Sequence, residues 1–217
     1  MTATTNGHSS KVLDEINNVS NGGKTVIDET APYVATVTIV GTAPILFHGW
    51  NVEAVKEKGA AAKGSDAKKS DDLESFIYRC DDGTIGIPGS YLIGSVIDKK
   101  NGSAKYLQDP RSPRKSALDL YKAGVVPITI MSSLGKTTWD FVDRRRVTVQ
   151  LAGITRHRPA FHAGWRATFE LAVLTPEYIS PSNLLKVLTE AGRLVGLGDY
   201  RPTFGRFQVV SFTTDRD

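Results

Sequence analysis

Hydrophobic and polar residues alternate strictly over residues 33–40. Ala35, Val37 and Ile39 fall on one side and Thr36 and Thr38 on the other. A period of two sets one face of a strand against a core. The pattern returns at 146–151, with Val147, Val149 and Leu151 inward and Arg146, Thr148 and Gln150 outward. It returns again at 166–173, with Ala167, Phe169, Leu171 and Val173 inward and Arg166, Thr168 and Glu170 outward. Residues 206–212 are the last predicted strand. Between these last two the spacing changes to three and four. Leu184, Leu185, Leu188 and Ala191 form the apolar stripe of a helix that Ser180 caps and Pro181 opens.

Residues 51–63 predict an earlier helix with a polar face, and 91–97, after Pro88, Gly89 and Ser90, another helix start. Short strands at 75–79 and 85–87 flank a turn at Asp81, Asp82 and Gly83. Residues 64–72, rich in Lys, Asp and Ser, predict an exposed loop. Residues 98–123 are polar and basic, with Pro110 and Pro113, and suit an extension better than a core. In order this is strand, helix, strand, strand, helix, strand with a large insertion around 98–145. It predicts an α+β, ferredoxin-like fold, an antiparallel sheet with both helices on one face. The other face is left partly polar. Residues 1–30, rich in Ser, Thr, Asn and Gly, read as a flexible tail before one domain at 31–217.

Composition narrows the classes. With 217 residues, 40% of them hydrophobic and 23% charged, the chain is globular. One cysteine, Cys80, builds neither a disulfide framework nor a thiolate zinc site. No apolar run approaches the ~18 residues of a membrane span, and the first ten residues lack the basic and apolar parts of a secretory signal. The expected setting is a reducing cytoplasm. The formal charge is +4; residues 1–30 hold two lysines against four carboxylates, so the surplus lies in the rest.

Several motifs fail on inspection. Gly23, Lys24 and Thr25 resemble the end of a phosphate-binding loop, but the required earlier glycine is Asn18. Gly196 and Gly198 begin a dinucleotide pattern whose third glycine is Arg201, and a helix precedes it. His157 and His162 have no nearby Cys or carboxylate cluster, so no metal and no cofactor is expected. His48, just after the first strand and beside Trp50, is either a structural histidine or a site residue.

Two features point to polyanion chemistry. The segment 196–206 carries Gly196, Gly198, Gly205, Arg201 and Arg206, with Tyr200 and Phe204 interleaved. Its glycines either let backbone amides approach an anion or merely fit a tight connector. Cations also cluster at Lys99, Lys100, Lys105, Arg111, Arg114 and Lys115, then at Arg144, Arg145 and Arg146, then at Arg156 and Arg158. Trp139, Phe141, Phe161 and Trp165 lie among them. Such interleaving suits a single strand, with phosphates on the cations and bases on the rings. The competing account is a solvated basic edge over core aromatics.

The segment Ile87-Pro-Gly-Ser-Tyr-Leu-Ile-Gly-Ser-Val96 resembles the Ile-Pro-Gly-Ser-Ser-Leu-Lys-Gly stretch of the RAMP superfamily, the RNA-binding proteins of CRISPR effector complexes. Residues 196–205 are similar to that family's glycine-rich loop before the last strand. Residues 42–46 are similar to its opening after the first. The resemblance implies an RRM-like fold that binds single-stranded RNA or DNA and self-associates along it as a filament. Its insertion, at 98–123 and on to Arg145, would be a thumb between bases. It implies strand contacts from Ser90, the glycine loop and the exposed sheet face. Ile93 stands where the family commonly has Lys, which bears on one phosphate contact. Residues 41–52 hold no Asp, so target cleavage of the family's type is not expected.

The alternative is a metal-independent, guide-RNA-processing nuclease with His48 as general base beside Arg206 or Lys115. A third class is a protein-only scaffold.

Overall fold

The computed structural model describes residues 30–49, 52, 56, 59, 60, 72–149 and 152–216, with no account of the side chains at 147–149 and 152–154. The expected tail (up to residue 29), the loop at 64–71, Trp50, Gln150 and Leu151 lie outside the described residues. So does most of the predicted helix at 51–63, whose described members 52, 56, 59 and 60 are helical and exposed.

The strands are β1 (Tyr33–Gly41), β2 (Ile45–Leu46), β3 (Gly86–Pro88), β4 (Gln108–Asp109), β5 (Ser112–Ser116), β6 (Val125–Pro127), β7 (Met131–Ser133), β8 (Phe141–Val149), β9 (Ala152–Phe161), β10 (Arg166–Val173) and β11 (Phe207–Thr214). The helices are α1 (Gly89–Ile97), α2 (Leu118–Gly124) and α3 (Pro181–Glu190), the last running into a π turn over Ala191–Val195. The main sheet has the order β11-β1-β10-β6, antiparallel at every pairing. This is an α+β arrangement of antiparallel sheets and helices.

Alternation along β1 explains the layering. Tyr33, Ala35, Val37 and Ile39 are fully buried, and in register with them on β10 lie Val173, Leu171, Phe169 and Ala167. Leu92, Ile93 and Val96 of α1 and Leu184, Val187 and Leu188 of α3 join the same core. Both helices therefore pack into the core that the inner side of β1 and β10 lines. Ser180 caps α3 by accepting the Asn183 amide at 3.3 Å, as its sequence predicts. Tyr33 is anchored by donating its hydroxyl to the Ile179 carbonyl at 3.0 Å. Burial holds its phenol far above the ordinary tyrosine range.

The opposite face presents Thr36 and Thr38 of β1, Arg166, Thr168 and Glu170 of β10, and Gln208, Ser211 and Thr213 of β11. Thr38 and Thr168 share a hydroxyl hydrogen bond of 3.0 Å across the strands.

Three expectations change. The strand expected at 146–151 does not join the main sheet; it is part of β8, which pairs with β9 in a second sheet of order β2-β9-β8. The main sheet's fourth strand is the three-residue β6, beside Leu171, Ala172 and Val173. Residues 75–79 form a short 3-10 turn, Glu74–Phe76, and one isolated bridge from Arg79 to Ile85. The polar stretch 98–123 is not purely an extension, because Ala104, Ala117, Leu120 and Tyr121 enter the core. Their spacing was masked by the charged residues around them.

Candidate nucleic-acid interface

The hairpin of β8 and β9 sorts its arginines by strand parity. Register pairs Arg144 with His157, Arg145 with Arg156, Arg146 with Thr155 and Asp143 with Arg158. Side chains of cross-strand partners share a face. One face therefore carries Arg144, Arg146, His157 and Thr155, and the other Asp143, Arg145, Arg156 and Arg158. On the first face Arg144 and Arg146 are exposed, with no ion pair among the described residues.

The second face is turned to the glycine-rich loop. Arg145 donates to both Asp143 oxygens at 2.5 Å, and its guanidinium lies 4.4 Å from the Tyr200 ring centre and 4.5 Å from that of Phe204. The Asp143 hydrogen bond raises the Arg145 pKa further, so its charge is fixed. Arg158 is buried at 7% exposure and paired with Asp199. The three consecutive arginines are thus not one phosphate-binding run. Arg145 is held by the protein, and its two neighbours face solvent.

In the loop between α3 and β11, backbone carbonyls of the protein take five of the amides. Gly196 N–H donates to the Ala191 carbonyl at 2.9 Å, Leu197 to Gly205 at 2.9 Å, Asp199 to Leu46 at 2.9 Å, Phe204 to Tyr200 at 3.3 Å and Gly205 to Pro44 at 2.8 Å. Gly196, Gly198 and Gly205 have φ of 78°, 73° and 74°. A side chain at Gly198 would come within 2.5 Å of the Leu46 oxygen. The Gly196 and Gly205 amides of the expected cradle are therefore already taken, the Asp199 and Gly205 amides fasten the loop onto β2 and its flank, and Gly198 serves close packing against Leu46.

Other predicted residues divide in the same way. Arg111 is clamped by Asp109, Nε to Oδ1 at 3.0 Å and Nη2 to Oδ2 at 2.8 Å, while Arg114 and Lys115 on β5 are exposed. Lys99 and Lys100 follow α1 with exposed side chains, and Asp98 accepts the Lys100 amide at 2.7 Å. Arg201 lies 3.6 Å from Asp98, and Arg206 donates Nε to the Pro202 carbonyl at 2.8 Å. Ser90 is exposed at the start of α1, beside a shallow cavity of about 350 Å³ lined by Tyr78, Pro127, Ile130 and Met131. The end of α1 meets the glycine loop through Asp98 and Arg201. Burial and the Tyr78 hydroxyl, 3.4 Å away, raise the Tyr91 phenol, and the charges of Asp199 and Arg201 act on it too.

His48 is exposed with its ring 4.6 Å from that of Phe76. Arg206, named as its helper, is turned to Pro202 instead. The aromatics expected among the cations are mostly core: Phe161 and Trp165 are buried, and Trp165 donates Nε1 to the Ala43 carbonyl at 2.9 Å. Phe141 stacks on His162 at 4.6 Å. Sequence reasoning missed the carboxylates that pin the arginines. Asp143 and Asp109 each stand two residues before their partner, the first on the same face of β8 as Arg145 and the second across the β4–β5 turn from Arg111, a readable signal; Asp199 gave none.

These pairs set an acid limit. The Arg111 hydrogen bonds hold Asp109 below the ordinary carboxylate range, the Lys100 amide does so for Asp98, and Lys136, at 2.6 Å, for Asp140. A carboxylate with a depressed folded pKa adds stability that is complete above its unfolded value, ~3.9. That stability is lost as pH falls through the lower folded value. The urea midpoint is expected to stay level from about pH 7 to 5 and to fall below about pH 4. A decline already complete by pH 5 would contradict these assignments.

No family model matches the chain, and no curated protein does. Among solved structures, a chain from the cryo-EM structure of the Type III-B Cmr-beta bound to cognate target RNA is similar over 97% of this chain and 68% of its own. The identity is 12% and the TM-score 0.43, and nothing about this chain's function follows from a likeness at that level.

Proposed function

We propose that the chain is a single-strand nucleic-acid-binding protein without sequence preference, a backbone-type subunit that assembles along its strand on a ferredoxin-like core. The observation that carries this reading is the outer face of the β8–β9 hairpin. Arg144 and Arg146 stand exposed on one side of a strand, with His157 across from Arg144 and no carboxylate paired to either arginine among the described residues. Alternate strand residues are about 6.7 Å apart, far enough for each guanidinium to take its own phosphate. Lys99, Lys100, Arg114 and Lys115 are exposed as well.

The strand order β11-β1-β10-β6, with α1 between β1 and β6 and α3 between β10 and β11, supports the ferredoxin-like reading. The resemblance to the RAMP superfamily draws support from position: residues 87–96 open α1, and the glycine-rich loop immediately precedes β11. The hairpin takes the thumb's role in this reading, and the hydroxyl-rich sheet face binds backbone rather than stacked bases. The setting is the cytoplasm. The strand is a guide RNA if co-purified nucleic acid is uniform in length, and a generally coated RNA or DNA if its lengths are ragged; RNase and DNase digestion separates the last two.

Affinity in this reading comes from phosphate neutralisation. The Arg144→Ala, Arg146→Ala double variant is expected to bind all single strands about tenfold more weakly, ~1.4 kcal/mol. Its log–log salt slope should be shallower by roughly 1.4, at ~0.7 for each phosphate no longer neutralised. Fluorescence anisotropy across a salt series measures both. Unchanged affinity and slope would remove this face from the interface.

A further inference from the structure

The inner face of the hairpin holds more positive charge than its partners neutralise. Among the described residues three guanidiniums, Arg145, Arg156 and Arg158, meet two carboxylates. Asp143 takes Arg145 and Asp199 takes Arg158. Arg156, half-buried, has no hydrogen bond or ion pair among the described residues, and register sets it directly across from Arg145. Like charges directly opposed on a strand pair repel. Arg158 adds a sharper observation. Its side chain is 9% exposed, Asp199 occupies Nε, and Nη1 is buried with no hydrogen-bond partner among the described residues. A buried donor of a charged group without an acceptor is costly, so native structures supply one.

Arg156 and Arg158 are two apart on β9, so both project from the same face. Two guanidiniums with free N–H groups on one face match the acceptor oxygens of a tetrahedral anion, which bridges them with charge-assisted bonds. A bound oxyanion satisfies Nη1, neutralises Arg156 and relieves its opposition to Arg145.

We propose that Arg156 and Arg158 form a discrete oxyanion site at the inner root of the hairpin, separate from the outer arginines. It takes a phosphodiester of the bound strand. That source rests on the single-strand reading above, whereas the oxyanion chemistry does not. Strand phosphates then meet the hairpin on both of its faces.

The experiment uses the full chain freed of nucleic acid at high salt, with inorganic phosphate and a 15-nucleotide oligouridylate as probes. Phosphate is expected to raise the melting temperature above chloride at equal ionic strength. Arg156→Gln should abolish that shift, and Arg156→Lys, which keeps the charge, should restore part of it. Arg156→Gln should also weaken oligonucleotide binding about tenfold and flatten the salt slope by roughly 0.7. Because Arg156 is not deeply buried, the test does not depend on an Arg158 variant folding.

A phosphate shift lost in Arg156→Gln with oligonucleotide binding unchanged would uphold the oxyanion site and overturn the strand as its source. No shift beyond chloride in the parent, or one that Arg156→Gln retains, would overturn the site. Failure of the parent to bind any oligonucleotide would sink the single-strand reading alone, leaving the phosphate measurement to decide the site.

Discussion

Replacing Gly205 with alanine is expected to destabilise the protein by on the order of 4 kcal/mol, the upper end of single-substitution effects. Two costs combine. At φ 74° an L side chain pays ~1–2 kcal/mol for the left-handed region. The added methyl would also come within 2.7 Å of the Leu197 nitrogen and carbonyl carbon, and closer still to its oxygen. Those are backbone atoms, and Leu197 is fully buried, so the loop must move as a whole. Movement breaks the Leu197 to Gly205 and Gly205 to Pro44 hydrogen bonds that tie the loop to the start of β2.

Gly83→Ala is the control. Its φ is 80°, yet no atom lies within 4 Å of the new methyl, so only the conformational cost of ~1 kcal/mol remains. Urea denaturation of both variants separates the terms. Equal losses would mean that the close approach at Gly205 is relieved cheaply.

That contrast bears on what was legible in the sequence. Composition left the glycines of 196–205 undecided between an anion cradle and a tight connector, because both need positive φ and little bulk. The deciding fact is where the amides point, which depends on Pro44 and Leu46 some 150 residues away in the chain. Period-two alternation found β1 and β10, and period 3.6 found α3, since each buries one face against a single core. It also found residues 146–151, but alternation does not name the partner. A hairpin strand packed on a loop reads like a strand of the main sheet. The true fourth strand, Val125–Pro127, is too short for any periodicity and ends in proline.

The arginine clusters were visible as composition, and their division was visible in principle. Three consecutive arginines on a strand must split between two faces, and an aspartate two residues before Arg145 stands on the same face as Arg145. The pairing of Arg158 with Asp199 joins residues 41 positions apart and left no local trace.

Removing the Asp199 carboxylate is expected to be the costliest change at the interface itself. Asp199→Ala leaves the Arg158 guanidinium buried without its counter-charge, and breaking a buried ion pair by deleting one member costs roughly 3–5 kcal/mol. The Asp199 side chain is 31% exposed, so water partly screens the pair and the lower end, about 3 kcal/mol, is expected. Part of that loss is local, because Asp199 Oδ1 also accepts the Tyr200 amide at 2.8 Å. Asp199→Asn keeps that acceptor and removes only the charge, which separates the two contributions.

The double variant Asp199→Ala, Arg158→Met removes the orphaned charge and keeps most of the arginine's apolar volume. It should be more stable than Asp199→Ala alone, since an apolar substitute for a buried pair is often neutral. Denaturant titration of the parent, Asp199→Ala, Arg158→Met and the double variant gives the coupling. A double variant no more stable than Asp199→Ala would mean that Arg158 is solvated in the single variant. If the coupling is as large as expected, the hairpin root and the glycine-rich loop are fastened through one charge pair, and the outer arginines are presented from a fixed base.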